Sequence, residues 1–157
     1  MKSSLTAIFF FIISIVSMHV MFSQDKPNFS GDWALNLEKS KLQAYWTSDV
    51  TYGKFIINHE EPSFSLWRTF TIKGKEKIMA YQIQTDGQEK KGKHSTFWTM
   101  NWEQDTLVLV IMRKETVIDS VRYYMSADQK EFVADEKVET PKLRYHNLWV
   151  SDRISDN

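Results

Sequence analysis

From Val50 to Val150 the apolar residues recur with period two, and a turn signal interrupts them about every ten residues. A chain patterned this way cannot bury its apolar residues as helices. It must build short strands that present one face to a core. Val50 to Asn58 carries Phe55 and Ile57 on one side, and Pro62 breaks the run. Phe64, Leu66, Arg68 and Phe70 alternate with Ser65, Trp67 and Thr69. Lys77 to Thr85 presents Met79, Tyr81 and Ile83, and Asp86-Gly87 reads as a hairpin turn because Gly tolerates positive φ. Ser95 to Glu103 places Thr96, Trp98, Met100 and Trp102 together. Thr106 to Met112 is β-branched and apolar on both faces. Val117 to Met125, Lys130 to Val138 and Leu143 to Val150 complete the series, the last with Tyr145, Asn147 and Trp149 on one face.

About nine strands joined by hairpin-length turns describe an antiparallel, up-and-down sheet. Left open, such a sheet exposes two long edges and one apolar face; closure into a barrel removes both problems. The expected fold is therefore all-β, an up-and-down barrel of about 8–10 strands, with a sandwich as the alternative. The first strand runs from Phe29 to Asn36, with Trp33 and Leu35 on one face. Leu37 to Trp46 contains helix formers but is too short for an independent helix; it reads as a helical turn packed on one end of the fold.

Residues 1–23 have a different pattern. Lys2 precedes an uncharged apolar run, Leu5 to Ser17, and small or polar residues lead to Asp25, Lys26 and Pro27. This is the layout of a signal peptide, short of the roughly 18–20 apolar residues that span a bilayer. We expect cleavage after Ser23, a single barrel domain over residues 24–157, and a periplasmic or extracellular location. Without Lys2 the chain carries 19 bases and 20 acids, which does not suit nucleic acid or an anionic membrane as the main partner. With no Cys, an exported domain of this size is held by its core alone. Six Trp and six Tyr supply that core or line a cavity within it.

The segment Phe29-Ser30-Gly31-Asp32-Trp33 resembles the Gly-x-Trp opening of the lipocalins and fatty-acid-binding proteins. Extended to Ser40, it is similar to the opening of secreted bacterial lipocalin-like proteins of the calycin type. The rhythm continues through Asp86-Gly87, Asn101 to Leu107 and Ser126-Ala127-Asp128. The resemblance implies a small barrel with a pocket for an apolar or amphipathic molecule. It gives Gly31 and Trp33 a structural role at the barrel's seam, with an Arg from the last strand, Arg153 or Arg144, covering the Trp33 ring. It also implies a carboxylate-binding Arg-x-Tyr pair. Arg122 and Tyr124 have that spacing, although they lie before the final strand, where Arg144-x-His146 stands instead. Arg68 is a third inward cation.

Other chemistry finds little support. His59, His94 and His146 lack metal-ligand spacing; there is no Gly-x-Ser-x-Gly elbow and no phosphate-binding glycine loop. Glu136 shares the parity of Phe132 and Val138, which would make it a buried acid if that face points inward. The expected function is a monomeric, non-catalytic barrel with no metal or cofactor. Its expected ligand-binding residues are Phe55, Arg68, Phe70, Tyr81, Trp98, Arg122, Tyr124 and Trp149. The alternatives are an envelope interaction module with a filled barrel and exposed aromatics such as Trp67, or a lipocalin-like isomerase or dehydratase.

Overall fold

The computed structural model describes residues 26–154, so the expected signal peptide lies outside the described residues. The chain forms β1 (Gly31–Leu35), β2 (Lys41–Leu42), a 3-10 turn (Thr47–Asp49), β3 (Val50–Glu60), β4 (Ser63–Ile72), β5 (Lys75–Gln84) and β6 (Lys90–Lys91). It continues with β7 (Thr96–Glu103), β8 (Thr106–Arg113), β9 (Thr116–Met125), β10 (Glu131–Thr140) and β11 (Leu143–Arg153). The strands form one antiparallel sheet in the order β5-β4-β3-β1-β11-β10-β9-β8-β7-β6. β2 pairs with β11 off this path, continuing the line of β1.

The sheet curls into a nearly closed up-and-down barrel. β1 is its seam, pairing Trp33 with Phe55 of β3 on one side and with Arg153 of β11 on the other. The remaining gap lies between β5 and the β6–β7 edge, where no strand pairing occurs. Because this gap leaves the sheet unclosed, its nine long strands and two short ones need not be even in number. Asp86-Gly87 does turn the chain, with Gly87 at φ 75°, but β5 and β7 do not pair across it. Instead the Gly87 N–H donates to the Met100 carbonyl, and the charged run that follows crosses the gap. A side-chain bridge spans it, from Lys90 Nζ to the Gln82 carbonyl at 2.6 Å.

The segment after β1 is only briefly helical. Asn147 Oδ1 accepts the backbone N–H groups of Gln43 and Ala44, so these donors are taken by a side chain rather than by a helical ladder. Trp46 folds over the barrel end onto Phe70 and Trp149, while Tyr45 points to solvent.

Two glycines are required by their surroundings. Gly31, at φ +140°, lies where a Cβ would come within 2.6 Å of Arg153 Nη1. Gly92 lets the gap-crossing segment approach the Trp98 indole, whose Nε1 would lie 2.5 Å from a Cβ.

Candidate functional site

The barrel interior is divided. On the side of β1, β3, β10 and β11 it is filled with aromatic rings. Phe132 meets Phe29, Trp33, Phe55 and Tyr123 at centroid distances of 5.7–6.1 Å. Phe70 stacks on Trp149 at 5.0 Å. Phe55, Phe70 and Trp149, expected as cavity residues, are therefore packed side chains, each 1% exposed. Alternation placed them inside, but the barrel's cross-section lets facing rings meet there and leaves no room between them.

On the side of β5, β7, β8 and β9 the interior holds a cavity of about 200 Å³. Its walls include Arg68, Met79, Tyr81, Trp98, Leu109, Ile111, Asp119, Val121, Tyr123 and Glu136. A groove of about 430 Å³ lies over the strand gap and shares Ala80, Tyr81, Trp98 and Ile111 with this cavity. Its outer rim is basic, formed by Lys90, Lys91, Lys93, His94 and Arg113. Tyr81 thus stands at the junction. Its hydroxyl is 2.6 Å from that of Tyr123, and its ring meets Trp98 edge-on at 5.8 Å. Burial pushes both phenols well above their ordinary range, so each is neutral at physiological pH.

Two of the cavity's polar atoms have no partner. Arg68 Nε and Asp119 Oδ1 are buried without a hydrogen bond, and no ion pair joins the two side chains. Burial, followed by the charge of Glu136, pushes the Asp119 carboxyl up to about 7, while Arg68 and the Ser120 backbone act in the opposite direction. Glu136 is 4% exposed and is satisfied: its Oε2 accepts from Asn147 Nδ2 at 3.0 Å and Trp149 Nε1 at 2.9 Å.

The structure corrects the Arg-x-Tyr expectation. Val121 and Tyr123 face inward, so Arg122 and Tyr124 lie on the outer wall. There Arg122 pairs with Glu103 at 2.8 Å. The two faces of β9 are both partly apolar, and the fold buries the one that carries Val121 and Tyr123. Asp119 shares their parity, and sequence reasoning missed it. The basic rim, Lys90 to Lys93, reads in sequence as a solvated loop.

The other end of the barrel is sealed. Arg153 lies over the Trp33 ring at 4.2 Å, and its Nη1 donates to the Ser30 carbonyl. Arg144 is at the opposite end of β11, where it pairs with Glu139. Among the described residues no cluster of His, Asp and Glu is placed to hold a metal ion, and no helix is long and apolar enough to cross a membrane.

No family model matches the chain, and no curated protein matches it. Solved structures share its fold. The REP1-NXSQ fatty acid transporter superposes with a TM-score of 0.56 at 12% identity, covering 82% of this chain and 97% of the transporter. The fluorescent protein UnaG gives 0.53 at 9% identity over 80% of this chain and 97% of its own. Zebrafish ileal bile acid-binding protein, in complex with cholic acid, gives 0.54 at 11% identity, with coverage of 80% and 98%. At these identities the likeness shows the fold alone, an antiparallel up-and-down barrel.

Proposed function

We propose that the barrel is a non-catalytic carrier for a small amphipathic molecule, which enters through the gap between β5 and β7. The observation that carries this reading is the interior cavity with an unpartnered Arg68 nitrogen in its wall. A buried donor without a partner costs about 1–3 kcal/mol, which a ligand acceptor would recover. The apolar wall, Met79, Trp98, Leu109, Ile111 and Val121, suits the ligand's hydrocarbon part. The cavity alone is small, so a longer ligand extends past Tyr81 into the groove and its lysine rim. The fatty acid transporter and the bile acid-binding protein, which share the fold, support this class of ligand. The pattern of residues 1–23 supports an exported setting.

Titration with anilinonaphthalene sulfonate, an anionic amphipathic fluorophore, tests the reading. We expect saturable binding of one probe per chain, weakened at least tenfold in Arg68→Met. No saturable binding, or binding indifferent to that substitution, overturns it.

A second reading rests on the outer wall. Trp67 is 54% exposed and pairs in register with Ile56 and Ala80, with the exposed Ile78 beside them. An apolar strip of this kind fits an interaction module. Loss of partner capture from an envelope extract on Trp67→Ser, with probe binding retained, would favour it.

A further inference from the structure

The cavity holds two bare polar atoms of opposite kinds. Arg68 Nε can only donate; Asp119 Oδ1 is bare on a carboxyl that can accept. They line the same roughly 200 Å³ space, and each lies within electrostatic reach of the other, yet they do not pair. The second acid in that wall, Glu136, is already occupied by Asn147 and Trp149. The Tyr81 and Tyr123 hydroxyls share one hydrogen bond, which leaves one of their O–H groups as a further donor. The unfilled demand is thus an acceptor for Arg68 Nε and that O–H, and a donor for Asp119. An unbranched fatty acid supplies only the acceptor.

We infer that the buried end of the ligand is a hydroxy acid: its carboxylate takes Arg68, and a hydroxyl near that end donates to Asp119. This inference rests on the carrier reading above and adds the ligand's chemical class. The surroundings fit such a head. The Arg68 charge offsets the ligand's carboxylate, and above about pH 7 the ionised Asp119 carboxyl can only accept, so a hydroxyl can meet it and a carboxylate cannot. Specificity of this type arises because a ligand lacking the hydroxyl leaves a buried acceptor without a partner.

The experiment compares decanoate with racemic 3-hydroxydecanoate by isothermal titration calorimetry at pH 8.5, where the Asp119 carboxylate can only accept. The wild type is expected to favour the hydroxy acid about tenfold, the equivalent of one hydrogen bond to a buried carboxyl group. In Asp119→Leu the ratio of the two affinities should fall to about one, and Arg68→Met should weaken both ligands. Leu replaces a buried carboxyl with one bare oxygen among Leu109, Ile111 and Val121, so the variant should fold, which thermal unfolding checks. Equal affinities in the wild type, or a preference that survives in folded Asp119→Leu, overturn the inference while leaving the carrier reading intact. Binding of neither acid overturns both.

Discussion

Asp119 stands beside Ile111, Val121 and Leu109 and faces Arg68, Glu136 and the Tyr123 ring, with one oxygen bare. Its carboxyl is raised from 3.8 to about 7, first by burial and then by Glu136. In the unfolded chain the group ionises first. Between about pH 4 and 7 the folded state holds the extra proton, so stability falls as pH rises through that window and stays lower above it. A shift of this size corresponds to on the order of 4 kcal/mol. Asn recovers part of that, being uncharged but still polar. Asp119→Asn should therefore be more stable than wild type by ~2 kcal/mol at pH 8.5 and indistinguishable from it at pH 4, by urea unfolding at both pH values. A constant difference at the two pH values would exclude this account. Parity puts this acid in step with Val121 and Tyr123, but both faces of β9 are partly apolar, so the fold decides that this one is buried. What parity does not report is whether the core holds a partner for it. The partner of Glu136, Asn147, comes from β11, and no such donor reaches Asp119 Oδ1.

At the level of elements, Glu61 ties together three strands that meet at the sealed end. Its carboxylate accepts from Thr85 Oγ1 beyond β5, from Trp102 Nε1 of β7, and from His59 Nε2 of β3 at 3.1 Å. His59 Nδ1 in turn accepts the Phe29 N–H at 3.4 Å, so the ring proton lies on Nε2 and points at Glu61. Burial alone would raise the Glu61 carboxyl; the three hydrogen bonds outweigh it and hold the group below its ordinary 4.5. A depressed carboxylate contributes stability that is present above its unfolded value and lost as pH falls through its folded one. Glu61→Ala should cost about 1–3 kcal/mol at pH 7. Its difference from wild type should close on acidification below the ordinary carboxylate range, as followed by thermal unfolding across pH. Pro62 marks this turn in the sequence. The sequence could not tell that Asp86-Gly87 joins strands that never pair. Turn residues encode local φ and ψ, whereas pairing across the gap depends on how far the whole sheet curls.

The molecule as a whole is a barrel whose two halves have different tasks. One half is a close-packed aromatic core centred on Phe132; the other is a cavity opening past Tyr81 and Trp98 to the strand gap. The chain has no disulfide to supplement that core, so stability must be concentrated in the packed half. Alternation assigned Phe55, Phe70 and Trp149 to the interior together with Tyr81 and Trp98, and could not separate the two groups. Whether an inward ring fills space or lines it depends on what the opposite strand places against it. The separation can be measured with two substitutions. Phe132→Ala removes a ring 1% exposed that touches Phe29, Trp33, Phe55 and Tyr123. It should cost ~3–5 kcal/mol in urea unfolding while changing anilinonaphthalene sulfonate affinity by less than about threefold. Trp98 is partly buried, and its ring meets that of Tyr81 edge-on. Trp98→Ala should cost less than about half as much stability, because less apolar area returns to water, and should weaken the probe at least tenfold. If both variants lose stability and probe affinity together, the interior is one cooperative unit and the division into core and cavity does not hold.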